Sequence, residues 1–105
     1  MNRVTFRSRD GLLTGFTLSG HCTADGKDET GRLVCSAVSS AAYMACNTIT
    51  EVIGAKAEIQ VEESYLRLEL ADSFAQTQTI LEGFRLHMAG LAQQYEKYIE
   101  VHSEV

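Results

Sequence analysis

Gly20-His21 and, fourteen positions further on, Cys35 are the residues of this chain whose types could do chemistry together. A thiol and an imidazole are the minimum set for cysteine nucleophilic catalysis: the imidazole takes the thiol proton and the thiolate attacks a carbonyl carbon. The residue pattern predicts Cys35 at the junction between a strand-like stretch, Arg32-Leu33-Val34, and a helix that begins near Ser36. A thiolate placed there faces the positive end of the helix dipole, which lowers its pKa. An unpaired amide at the same helix start is suited to stabilising an oxyanion. Asp25, Asp28 and Glu29 lie between the two residues, and a carboxylate from this loop would orient the imidazole as the third member of a triad does.

Each of these residues also has a plainer reading. A free cysteine usually packs as a small hydrophobe, a histidine at a strand end is usually a surface side chain, and acidic loop residues are usually solvated. His87 and His102 are weaker candidates, one inside the second helix and the other near the fraying end. Cys22 could serve as a resolving thiol if Cys35 were a redox centre, while Cys46 reads as structural. Cys35 and Cys46, eleven positions apart on one helix, would stand about 16 Å apart along its axis, too far for a disulfide. A zinc site from His21, Cys22 and Cys35 lacks the regular ligand spacing of structural zinc. No metal and no cofactor is expected.

The elements that must position this pair follow from apolar periodicity. Residues 2–7 alternate as a short strand, Asp10-Gly11 signals a hairpin, and residues 12–20 form a second strand with Phe16 and Leu18 on one side. Residues 22–31 are polar, with Gly26 and Gly31, and read as the one long loop, of the kind that often binds or covers a ligand. Residues 35–53 predict the strongest helix, with Val38, Ala41, Ala42, Ala45, Ile49 and Val52 at helical spacing and Gly54 as its stop. Residues 57–62 and 65–70 alternate as a hairpin with one solvated face carrying Glu58, Glu62 and Glu69. Asp72 or Ser73 would cap a second helix running to about Lys97, and residues 98–102 would form a last strand. The order β-β-α-β-β-α-β predicts a two-layer α+β sandwich: a mostly antiparallel sheet with two main helices on one face.

The chain has 105 residues, 45% hydrophobic and 22% charged, with a net charge of −5, which suits one domain spanning 1–105. That charge excludes a nucleic-acid surface, since phosphate binding needs a basic stripe. No signal-peptide pattern and no bilayer-length apolar stretch are apparent, so no membrane partner is expected. An odd number of cysteines without metal spacing fits a reducing cytoplasm.

Gly20-His21-Cys22, a glycine-containing loop and Leu33-Val34-Cys35-Ser36-Ala37-Val38-Ser39 together resemble the ribosomal-processing cysteine proteases of the Prp family. That family shows Gly-His-Ala, a short loop with Gly and Asp, and then Asp-Ile-Val-Cys-Ala-Ala-Val-Ser. Asn47-Thr48-Ile49-Thr50-Glu51-Val52 and the stretch from Gly90 to Ile99 are similar to the family as well. The resemblance implies a cytoplasmic, homodimeric cysteine peptidase. Its partner would be a bacterial large-subunit ribosomal protein precursor, whose N-terminal extension it cuts after an aromatic pair. Carried over by residue, Cys35 is the nucleophile, His21 the general base and Ser39 a supporting residue, with Gly26, Lys27 and Gly31 in the loop that closes over the peptide. Arg32 departs from the family, which has Asp three residues before its Cys, and the loop is longer than usual. The departures leave Asp28 as a substitute acid, or a catalytically inactive protein-binding module on the same fold as the alternative.

Overall fold

Two alternating segments, Asn2–Arg9 (β1) and Leu12–Ser19 (β2), pair antiparallel through the turn at Asp10-Gly11. Both turn residues have positive φ, 54° and 80°, the geometry that a tight two-residue hairpin requires. In the computed structural model, which describes residues 1–20 and 28–105, these strands lie inside a five-stranded sheet. It continues with Ala57–Glu62 (β3), Tyr65–Leu70 (β4) and Ile99–Glu104 (β5), in the order β3-β4-β2-β1-β5. Every pairing is antiparallel except β1 with β5, where Asn2 sits opposite Ile99. Helices Glu29–Asn47 (α1) and Gln78–Gln94 (α2) cover one face. The two-layer α+β sandwich and its β-β-α-β-β-α-β order are as the periodicity predicts.

Period-two alternation decides which side chains meet the helices. Val4 and Phe6 of β1, Phe16 and Leu18 of β2, and Leu66, Leu68 and Leu70 of β4 point into the core. They pack against Val34, Val38, Ala42 and Ala45 of α1 and against Leu81, Phe84 and Met88 of α2. Phe6, Phe16 and Phe84 form an aromatic trio with ring centroids 4.7 to 6.2 Å apart. The opposite face is polar and held by charge pairs. Arg7 donates to Glu69 at 2.7 Å and to the Thr17 hydroxyl at 2.6 Å, and Arg3 meets Glu100 at 3.3 Å.

The helices start and stop where backbone partners dictate. Helix α1 begins at Glu29, six residues before the predicted start, because Asp28 caps it: its Oδ1 accepts from Gly31 N at 3.0 Å. Arg32-Leu33-Val34 is therefore helix and not strand. Downstream, α1 runs into a π-helical turn, Thr48–Ile53, and Gly54 ends it in the left-handed region at φ 78°. Helix α2 begins at Gln78, later than predicted. Asp72 does not cap it but accepts from Lys56 N at 2.8 Å. The Gln78 side chain clasps β2 instead, accepting from Leu13 N and donating to Leu13 O, both at 2.8 Å. By length and composition the continuous helical segment Glu29–Ile53 is long and apolar enough to cross a membrane, contrary to the sequence reading. Its buried face, Val34, Val38, Ala42 and Ala45, nevertheless packs on the sheet as a core helix does.

Candidate active site

Cys35 lies in the second turn of α1, half-buried, on the face that looks along the end of the sheet. Residues four apart on a helix stack on one face. Cys35, Ser39 and Tyr43 accordingly form one wall of a cleft of about 220 Å³. The floor is Leu18 of β2 and Leu66 of β4, with Asn2 and Gly20 at the near end. The far rim comes from the β3–β4 turn, Glu62, Ser64 and Tyr65. The cleft thus lies where β2 ends, β1 starts and the second hairpin turns.

The backbone at that corner is specified by glycine. Gly20 adopts φ +129°, and a Cβ added to it would collide with the carbonyl oxygen of Met1. Only glycine tolerates both the conformation and the close approach. Gly20 N donates to Ser64 O at 3.2 Å, which ties the end of β2 to the opposite rim. His21, Cys22, Asp25, Gly26 and Lys27 lie outside the described residues, so the chain to His21 is followed up to Gly20.

The start of α1 is fixed from a second direction. Asp28 Oδ2 accepts from the Tyr98 hydroxyl at 2.9 Å. The Tyr98 carbonyl in turn accepts from Asn2 N at 2.8 Å and from Asn2 Nδ2 at 3.3 Å. Asn2 is one of the cleft residues, so the helix cap, the lead-in to β5 and the start of β1 form one hydrogen-bonded corner beside Cys35. Asp28 is therefore a capping residue engaged with Gly31 and Tyr98. Gly31, read as loop from the sequence, is a buried residue of the first helical turn. Arg32 is exposed and lies with Glu29, Leu33 and Ser36 around a separate surface depression, away from the cleft that holds Cys35.

These placements change the electrostatics expected of Cys35. With the helix starting at Glu29, the free N-terminal amides lie about 9 Å along the axis from Cys35, and the Gly31 amide is already bonded to Asp28. The dipole and oxyanion roles predicted from a helix start near Ser36 do not apply at this thiol. Cys35 is disulfide-bonded. Cys46 is a free, buried cysteine whose thiol is pushed up to about 11 by burial. Among the described residues, no group of histidine, cysteine and carboxylate side chains is arranged to hold a metal ion.

The Gly31 amide, and then the Tyr98 hydroxyl, hold the Asp28 carboxyl below its usual range, and Asp28 raises the Tyr98 phenol in return. A carboxyl whose folded pKa lies below its unfolded value adds stability above the unfolded pKa. That stability disappears as pH falls through the folded pKa. Asp28→Asn should therefore lose stability at neutral pH but fall off less steeply in acid. Denaturant midpoints at about pH 7 and about pH 3 check this; parallel acid slopes for the two proteins would refute it.

Ser39, expected to support the site, lines the same cleft as Cys35. Tyr43, Asn2 and Ser64 were not foreseen. Tyr43 had a signal, since it extends the four-residue stripe begun by Cys35 and Ser39. Asn2 and Ser64 had none, because only the strand pairings bring them to the cleft.

A two-layer α+β domain with a cysteine-lined cleft at the sheet end is the class that fold and site define. The chain belongs to the cysteine protease Prp family, whose family model matches residues 1–100. It is similar in fold to SMU.848 from Streptococcus mutans, at 22% identity and a TM-score of 0.90, over 99% of this chain and 94% of that one. It is also similar to the essential ribosomal processing protease Prp from Staphylococcus aureus in complex with a substrate peptide, at 19% identity and a TM-score of 0.86, over 98% and 99% of the two chains. The S. aureus protease with a covalently linked product peptide matches at 19% identity, a TM-score of 0.83 and the same coverage. No curated protein matches the chain.

Proposed function

We propose that this protein is a cysteine endopeptidase that removes the N-terminal extension of a bacterial large-subunit ribosomal protein. The observation that carries the reading is the cleft walled by Cys35, Ser39 and Tyr43 in a chain that matches the cysteine protease Prp family over residues 1–100. In the reduced protein Cys35 attacks the scissile carbonyl carbon, forming a thioester as the peptide C–N bond breaks. His21 takes the thiol proton, delivers it to the leaving amine, and then activates the water that hydrolyses the thioester. Ser39 offers a hydroxyl to the peptide backbone one helical turn from the reacting sulfur. The apolar floor of Leu18 and Leu66 accepts the apolar side chains beside the cut. The cytoplasm and a homodimeric state complete the reading.

Support comes from the S. aureus protease of the same fold, which has been solved with a substrate peptide and with a covalently linked product peptide. The position of Arg32 supports an active enzyme over an inactive binding module, because the arginine does not line the cleft that the described residues form around Cys35. The test is incubation of the reduced protein with the precursor ribosomal protein from the same genome, read by intact mass. A single N-terminal truncation of the precursor is expected. An intact precursor that co-elutes with the protein would instead establish the binding module.

A further inference from the structure

Strand β3 is an outer strand of the sheet: it pairs with β4 on one side and, among the described residues, with no strand on the other. In an antiparallel pair, alternate residues point their N–H and C=O groups away from the partner. Ala57–Glu62 therefore presents a row of open backbone groups. Its two faces differ. Ala57, Ile59 and Val61 lie opposite Leu70, Leu68 and Leu66, on the side of the sheet that carries the helices. The helices leave this edge uncovered, with Ile59 40% and Val61 53% exposed. Glu58, Gln60 and Glu62 lie on the other face, and Glu63 follows in the turn. Glu62 accepts from the Gln60 amide at 3.1 Å, but none of the three carboxylates meets a cation among the described residues.

This pattern selects an occupant. A second copy of β3 in the register that pairs Ile59 with Val61 would set Glu58 against Glu62, and like charges directly opposite destabilise a strand pair. A strand with basic residues opposite Glu58 and Glu62 and apolar residues opposite Ile59 and Val61 suits both faces. The edge also leads out of the cleft. β3 runs from Ala57 towards Glu62, and Glu62, Ser64 and Tyr65 form the far rim of the cleft that holds Cys35. A peptide that crosses this rim and continues towards its own C-terminus along β3 runs antiparallel to it, the more stable pairing. The residues that do so are those after the cut; residues before the cut would have to run parallel.

We propose that the outer edge of β3 docks the substrate's own chain on the C-terminal side of the cut, as a sixth strand of pattern basic–apolar–polar–apolar–basic. The proposal rests on the peptidase reading for its substrate. A ribosomal protein suits the edge, because a chain that neutralises RNA phosphates is rich in lysine and arginine. From Glu58 to Glu62 the edge spans about 13 Å. Main-chain bonds hold the added strand, and the alternating side chains select it.

The test follows backbone amides by NMR in reduced, isotope-labelled protein with two short peptides that lack a cleavage site. One carries lysines flanking valine-threonine-valine; its twin carries glutamates in place of the lysines. The lysine peptide should shift the amides of Ala57–Glu62 and bind more than about fivefold tighter than its twin. Glu58→Lys, an exposed change outside the cleft, should reverse that order. With the precursor, Glu58→Lys should raise KM more than about threefold, with a far smaller effect on kcat. The docking site is overturned by equal binding of the two peptides, by still β3 amides at millimolar peptide, or by a Glu58→Lys protein that keeps the lysine preference or the wild-type KM. Amides of β3 that move with protein concentration alone would place a second copy on this edge and overturn it too. If wild type leaves the precursor whole, the peptidase reading fails by itself, and the two peptides still decide whether β3 takes a basic strand.

Discussion

Cys35→Ala is expected to abolish cleavage of the ribosomal precursor while the protein keeps its fold. In the proposed function the substitution removes the atom that attacks the carbonyl, and in thiol and serine peptidases the loss of the nucleophile costs on the order of a thousandfold or more. The reduced fold should survive because alanine is the best helix former and the position is only half-buried. Circular dichroism and precursor cleavage, measured on the same sample, separate the two effects. Turnover at the wild-type rate by a folded Cys35→Ala would remove Cys35 from the chemistry. Alkylation gives an independent readout in the reduced wild type. Cys35, open to the cleft, should react with iodoacetamide at neutral pH far faster than Cys46, whose burial holds it protonated.

Phe16→Ala is expected to cost about 3–5 kcal/mol, a large share of the roughly 5–15 kcal/mol that holds a domain together. Phe16 is fully buried and packs against both Phe6 and Phe84, so it joins the sheet to α2 across the centre of the core. The cavity left behind cannot close, because β2 is held on both sides by β1 and β4. A fall in melting temperature of more than about 12 °C follows from the usual enthalpy of a domain this size. Phe16→Leu should recover most of the loss, since it refills most of the space. A melting temperature within about 3 °C of wild type for Phe16→Ala would show that the aromatic trio is not the centre of the core. The cleft should feel the change as well, because Leu18 lies two residues along the same strand and forms its floor.

The sheet was legible in the sequence because period-two alternation carries its own register. Val4 and Phe6, Phe16 and Leu18, and Leu66 and Leu68 fall on one face by parity alone, and the structure buries all of them. The start of α1 was misplaced for a physical reason. A three-residue apolar run such as Arg32-Leu33-Val34 fits a strand or a helix equally well, and its arbiter, the cap at Asp28, was hidden in a segment whose glycines and charges read as loop. The spacing of Val34, Val38 and Ala42 carried the correct period. The late start of α2 was not legible, because it depends on Gln78 reaching the Leu13 backbone across the fold. At the site, the stripe of Cys35, Ser39 and Tyr43 could be read from the helix, whereas the opposite rim follows from how β4 docks on β2.

The pairing of β1 with β5 joins the two ends of the folding problem. Asn2 lies opposite Ile99, and Tyr98 reaches back to both Asn2 and Asp28. As residues emerge in order during synthesis, β1, β2, α1, β3, β4 and α2 are available before the strand that covers the outer edge of β1. Until residues 98–104 appear, that edge has open hydrogen-bonding groups and the cap of α1 lacks the Tyr98 hydroxyl. The most non-local contact in the sheet is thus the one that finishes the corner beside Cys35. A chain stopped short of it would carry the cysteine without the frame around it.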